Sequence, residues 1–214
     1  MSEKKGQKPK LLSNDTLRDF KKQLTQLPSS LKALLVSYAL IVFANGLVGQ
    51  YYILYATDKN LIGLTELDWG IIVSLQFLLA NILRIPGGWI SDKFGKRKVM
   101  VISVLTCAPC TIIFVLSKSF LQAAVAGLLL IVTGIYYAPA HEALQADLTP
   151  KEVRGRITAI WDIDNAISAA LGALLGGFLF QINSASPFFL FSVAELVAAF
   201  LIIAAVKEPL KKEV

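Results

Sequence analysis

Hydrophobic positions along this chain are gathered into blocks far longer than a β-strand needs. Six apolar runs cover residues 33–56, 69–90, 99–117, 119–140, 157–182 and 187–206, with polar stretches between them. At about 1.5 Å per residue, some 20 helical residues cross the roughly 30 Å hydrocarbon core of a bilayer. The pattern therefore predicts an all-α membrane protein with six transmembrane helices. Start signals agree with it. Thr65-Glu66-Leu67-Asp68 reads as a capping box opening the second span, and Thr149-Pro150-Lys151-Glu152 as a full box with proline at the first helical position of the fifth. Only a tight turn at Lys118 separates the third span from the fourth, which makes them a hairpin.

The flanks are polar. Residues 1–30 form a basic cytoplasmic segment in which Leu17, Phe20, Leu24 and Leu27 recur at helical spacing opposite Arg18, Asp19, Lys21, Lys22 and Gln23. Ser13 or Asn14 serves as its cap, and the pattern predicts a short amphipathic helix lying in the membrane interface. Residues 31–206 are the six-helix bundle and 207–214 a cytoplasmic tail. The stretch after Met1 is polar and lacks a short apolar core, so no signal peptide is expected.

Composition sharpens this picture. The 214 residues are 55% hydrophobic, with a mean hydropathy of +0.62, which leaves a soluble domain too little polar surface. The net charge of +6 fits membrane topology better than nucleic acid, because the cations lie between apolar runs. Of the 21 Lys and Arg, eight lie in residues 1–32, four in the 93–98 loop, three at Lys151, Arg154 and Arg156, and three in the tail. The other side holds only Lys59 and Lys118, and Arg84 falls within a span. This asymmetry puts both termini in the cytoplasm. Cys107 and Cys110 form Cys-Ala-Pro-Cys inside an apolar run, where packing explains them better than redox or metal chemistry. No cofactor or metal is expected, and no nucleophile–base pair marks an enzyme.

Polar groups inside spans are costly and therefore functional candidates. Arg84 lies about a turn from its span's cytoplasmic end, where it can snorkel outward or pair with a carboxylate. In the fifth span Asp162, Asn165, Ala169, Gly172 and Gly176 share one small, polar face, suited to close helix packing or to a water-filled cavity. Substrate-facing candidates are Asn45, Gln76, Asn81, Tyr136, Asp162 and Asn165. Candidates for proton coupling are Asp162, His141 and Glu142, although a histidine at a cytoplasmic helix end also reads as a surface cap. Tyr51, Tyr52 and Tyr55 fit an aromatic interface belt.

Between the second and third spans stands Gly88-Trp89-Ile90-Ser91-Asp92-Lys93-Phe94-Gly95-Lys96-Arg97-Lys98. Gly88 reads as a point of close helix approach and Gly95 as a turn with φ > 0. Read as Gly-x-x-x-Asp-Lys-x-Gly-Lys-Arg, this stretch resembles the signature loop of the major facilitator superfamily of secondary transporters. Ala143-Leu144-Gln145-Ala146-Asp147-Leu148-Thr149-Pro150 with Arg154-Gly155-Arg156 is similar to that family's connection between its fourth and fifth helices. The resemblance covers residues 31–206. It implies two inverted three-helix repeats and a cytoplasmic gating loop of Gly88, Asp92, Lys93, Gly95, Lys96, Arg97, Asp147, Arg154 and Arg156. Within it, Asp92, Arg97 and Asp147 would form a charge cluster that latches one conformation. Glu195, on a helix peripheral in the family, is expected to make an interhelix hydrogen bond.

Two departures matter. Leu130, Ile131, Val132 and Thr133 precede Gly134 where proton-coupled antiporters of the family carry an arginine. Gly172-Ala173-Leu174-Leu175-Gly176-Gly177 lacks the proline of their Gly-Pro-x-x-Gly-Gly, which argues against a drug–proton antiporter. The family has two six-helix halves and this chain holds one. The interfacial helix resembles the linker before the second half, so the chain reads as a C-terminal half. Its expected partners are a small-molecule solute with a proton as candidate coupling ion, membrane lipid, and a second half or a second copy met through the Gly172–Gly176 face. The competing function is a non-transporting membrane scaffold, which would present a sealed apolar bundle instead of a polar cavity. Cysteines placed at Lys118 and Lys211 should label from opposite faces of sealed cells. Labelling of both from outside would overturn the topology.

Overall fold

The structure, a computed structural model, describes residues 28–149 and 154–208. The described residues form eight helices: α1 (Ser29–Gly49), α2 (Tyr51–Thr57), α3 (Glu66–Phe94), α4 (Lys96–Val115), α5 (Phe120–Gly134), α6 (Tyr137–Leu148), α7 (Arg154–Ile182) and α8 (Ser186–Ala205). α1 runs into α2 and α5 into α6, leaving six helices long and apolar enough to cross a membrane. Their lengths run 29, 29 and 20 residues, then 29, 29 and 20 again.

The packing repeats with the lengths. The α1–α2 span lies against α7 and α8, and the α5–α6 span lies against α3 and α4. The third member of each triplet, α4 and α8, pack on one another. Each repeat thus completes its packing with helices of the other, as expected for two three-helix repeats in one bundle. The first span of each triplet is interrupted near a glycine, after Gly49 and after Gly134.

Backbone contact between α1 and α7 sets the closest spacing. A Cβ added at Gly46 would stand 2.6 Å from the Ala169 carbonyl. One added at Gly172 would collide with the Phe43 carbonyl, and one at Gly176 with that of Leu47. The small-residue face of α7 is therefore consumed inside the bundle and is not left for a second one. Apolar packing in a bilayer gains little from water exclusion, so such close contacts carry the association.

Aromatic side chains fill the Lys118 end. Tyr52 meets Phe114 and Phe188 edge-on, each with ring centroids 5.1 Å apart. The tyrosines do not form an interface belt here. Tyr51 Oη donates to the Ala173 carbonyl at 3.0 Å and Tyr55 Oη to that of Val115 at 3.1 Å, while Tyr52 Oη and Thr111 Oγ1 lie 3.3 Å apart. A transmembrane hydroxyl is cheaper paired with a backbone carbonyl than left unpaired in hydrocarbon. At the opposite end Met100, Leu144, Ile202, Leu34 and Leu31 form a second cluster.

Helix boundaries match the local chemistry with one correction. Thr65 Oγ1 accepts from Asp68 N–H at 3.1 Å and Asp68 Oδ2 accepts from Thr65 N–H at 3.0 Å, completing the capping box. α3 then continues past residue 90 to Phe94, so Gly88 and Asp92 are helical and the loop shrinks to Gly95 at φ 95°. There, as at Gly63 with φ 75°, the chain needs a backbone that glycine adopts cheaply. Gly88 faces open space, whereas Gly87 meets the ring of Tyr136. The amphipathic segment before residue 28, positions 150–153 of the second capping box and the tail beyond 208 lie outside the described residues.

Gly172→Val should lower the stability of the purified protein by about 1–3 kcal/mol through overpacking. Gly70→Ala, where nothing lies within 4 Å, should be neutral or slightly stabilising. Thermal unfolding in one detergent compares the two, and equal midpoints would contradict the close contact.

Candidate functional site

Among the cavities between the described helices, two contain residues singled out from the sequence, one towards each end of the bundle. Each has a volume of about 360 Å³. The one nearer the Lys118 end is lined by Asn45, Tyr52, Gln76, Cys107 and Gly134 among others. Gln76 Nε2 donates to the Gly127 carbonyl at 2.9 Å, tying α3 to α5 at the cavity wall. Asn45 Nδ2 donates to the Ile41 carbonyl at 2.8 Å, which leaves its amide oxygen for a guest. Cys107 Sγ lies 3.5 Å from Thr133 Oγ1 and both cysteines are free thiols. Cys107 is therefore a cavity-lining residue as well as a packing one.

The second cavity lies between α1, α6 and α7 and is lined by Tyr38, Tyr137, His141, Glu142, Trp161 and Asp162 among others. Asn165 Nδ2 donates to Tyr38 Oη at 2.8 Å and so fixes one wall. His141 is buried, not a surface cap. Its ring is stacked on Tyr38 and Tyr137 and meets Trp161 edge-on, contacts that its place in the sequence did not reveal.

Four of the six residues expected to face substrate therefore line a cavity or hold its wall: Asn45, Gln76, Asp162 and Asn165. Tyr136 packs on Gly87. Asn81 is exposed and donates to the Phe77 carbonyl of its own helix at 2.8 Å. Arg84 is exposed, with no ion pair recorded among the described residues. Glu195 points into the bundle, 2% exposed, and makes no interhelix hydrogen bond among the described residues. Its electrostatic neighbours are Tyr52, Cys107 and Tyr137. Tyr38 and Trp161 were missed by sequence reasoning. A rule that pairs aromatics with carboxylates one position or one turn away would have found Trp161 beside Asp162.

At the Gly95 end the charges are arranged differently from the expected cluster. The cation on Asp147 is Lys96, Nζ to Oδ2 2.5 Å. Arg97 instead turns to the end of α8, where it donates to the carbonyls of Ile202, at 3.3 Å, and Ile203. The Ile202 carbonyl also accepts from Val206 N–H at 3.2 Å, so the guanidinium adds a charged donor at a helix end whose last carbonyls run short of intrahelical partners. Glu208 returns the contact by accepting from the N–H groups of Lys96 and Arg97 at 3.0 and 3.4 Å, the positive end of α4. Lys207 N–H reaches Ser30 Oγ at 3.2 Å, joining the start of α1 to the same junction. Arg154 Nη2 donates to the Ala146 carbonyl at 3.2 Å. Lys93 lies over the Trp89 ring at 4.6 Å, and Asp92 and Arg156 are both engaged.

A family model described as Major Facilitator Superfamily matches residues 34–214. The chain belongs to the Major Facilitator Superfamily. Among its similar proteins is Multidrug resistance protein 1 of Bacillus subtilis, 30% identical over 127 residues, which are 58% of this chain and 32% of that protein. Probable anion transporter 5 of Arabidopsis thaliana is 28% identical over 141 residues, 65% of this chain and 33% of the relative. Quinolone resistance protein NorA of Staphylococcus aureus is 23% identical over 172 residues, 80% of this chain and 44% of the relative. The chain thus spans between a third and somewhat under half the length of these relatives. It is a multi-pass membrane protein of a transporter family.

For this superfamily member, Glu208→Ala should speed amide hydrogen exchange at Lys96 and Arg97 several-fold and leave the Gln76 region unchanged. Unchanged exchange at residues 95–97 would show that the Glu208 cap carries no stability.

Proposed function

We propose that the chain is half of a secondary-active solute transporter that works by alternating access with a second six-helix bundle. The observation that carries this reading is the pair of cavities at opposite ends of one bundle, each with a few polar side chains set in an apolar lining. A scaffold that merely retained the fold would have no reason to keep Asn45, Gln76, Glu142 and Asp162 at open cavities in membrane-spanning helices. Alternating access needs two bundles rocking around a site between them, and the outer surface offers faces for a partner. Ile71, Leu75, Leu78, Ile82, Ile85 and Trp89 form an exposed stripe on α3, while Ile163, Ile167, Leu171, Leu174 and Phe178 form its counterpart on α7. These stripes, not Gly172 and Gly176, are the surfaces on which a second half or a second copy would dock.

The cargo is a small molecule, with Asp162, His141 and Glu142 as the candidate groups for proton coupling. Relatives named for multidrug and quinolone resistance stand beside one named as an anion transporter. These names do not agree on one class of cargo, so kinship leaves the charge of the solute open. In this reading both termini are cytoplasmic, and the Lys96–Asp147 pair with Asp92 latches that side.

Mass measurement in nanodiscs combined with uptake in liposomes tests the pairing. Solute should move only in assemblies of two bundles, and a strictly monomeric chain that transports would overturn it. In an active assembly Asp92→Asn should reduce turnover and leave substrate affinity nearly unchanged, since it lies far from mid-bilayer. A large loss of affinity with normal turnover would make Asp92 a ligand instead.

A further inference from the structure

The cavity between α1, α6 and α7 has walls of a particular kind. Tyr38 and His141 are stacked, with centroids 4.6 Å apart and planes at 13°. Trp161 meets both edge-on, at 5.0 Å from Tyr38 and 4.8 Å from His141. Trp161 and His141 are each 5% exposed, and the Asn165 hydrogen bond holds Tyr38 in place. The rings are thus ordered before any ligand arrives, which reduces the entropy cost of binding.

The charge on the walls has one sign. Glu142 and Asp162 both line the cavity, and no Lys or Arg does. Neither carboxylate is in a recorded ion pair among the described residues. Carboxylates on the wall of a groove between membrane-spanning helices are costly without a cation. His141 Nε2 is buried with no hydrogen-bond partner among the described residues, and with the ring proton on Nδ1 it can accept a bond from a ligand. Aromatic faces, two carboxylates and an unmatched ring nitrogen together favour a cationic donor over an anion or a neutral molecule. The volume, about 360 Å³, is near the lower limit for small-molecule pockets and suits a ligand with one ring.

We infer that this groove is a binding site for a protonated primary amine carried on a small aromatic body. The ammonium group sits against Asp162 and Glu142, with its N–H donors available to His141, and the ligand's ring packs on Tyr38 and Trp161. The inference deepens the reading of this face as a wall of the solute path and rests on it.

Titration of the full chain in nanodiscs at neutral pH, followed by calorimetry and tryptophan fluorescence, tests the site without requiring transport. Three probes of one shape separate the chemistries: phenylethylamine as the cation, 2-phenylethanol as the neutral form and phenylacetate as the anion. The amine should bind about tenfold or more tighter than the alcohol, and phenylacetate weakest of the three. Asp162→Asn, at an exposed position, should weaken amine binding about tenfold and leave alcohol binding unchanged. Glu142→Gln, also exposed, should act in the same direction. Equal binding of amine and alcohol, preference for the anion, or amine affinity unmoved by both substitutions would overturn the assignment. A chain that binds the amine but moves no solute in a two-bundle assembly would sink the transporter reading and leave this site standing. Active transport with no amine binding would do the reverse.

Discussion

Backbone contact between α1 and α7 is the constraint on which the rest of this bundle depends. Gly46 on one helix and Gly172 and Gly176 on the other bring two membrane spans together with no side chain between them. Lipid offers helices no water-driven reason to associate, so close approach of small residues supplies dispersion contacts that larger residues would prevent. Towards the Gly95 end the same pair of helices carries Tyr38 and Asn165, whose hydrogen bond becomes a cavity wall. Above it, Tyr51 reaches the Ala173 carbonyl across the same seam. The glycine contact therefore sets both the packing of the bundle and the width of its groove.

The second span of each repeat is left comparatively bare by this arrangement. The apolar stretches of α4 and α8 are half or nearly half buried inside the bundle, at 50% and 44%, whereas those of α3 and α7 reach only 11%. In a complete bundle the poorly buried pair is the one with surface to share. Its stripes run at helical spacing and are apolar, so they suit lipid or another helix equally, while Gln76 and Asp162 turn towards the cavities.

At the Gly95 end, electrostatics and helix capping are combined in one junction. Arg97 and Glu208 satisfy each other's helix ends, a cation at the carbonyl end of α8 and an anion at the amide end of α4, as the helix dipoles favour. Lys96 is thereby the residue left to pair with Asp147. Gly95 at φ 95° makes the exchange possible because the chain must reverse within one residue, and Glu208 packs against it. The junction ties the last span to the third, and the Lys207–Ser30 bond adds the first.

The sequence by itself determined the class, the six spans, the capping box at Thr65 and the family to which the chain belongs. Those features are local: hydropathy sums over some 20 neighbouring residues, and a cap or a glycine turn is decided within four. The repeated lengths were latent in the same pattern. Only the tertiary structure decided which polar groups meet. His141 looks like a helix-end residue in one dimension and becomes the centre of an aromatic cluster because α1 and α7 close over it. Arg97 and Lys96 are adjacent and equally charged, and their roles differ because Glu208, over a hundred residues away, occupies the space beside one of them. The small face of α7 could have met any helix, and it was the matching glycine on α1 that chose its partner. Contacts between distant segments depend on helix rotation and depth, and neither is written in the order of residues along one span.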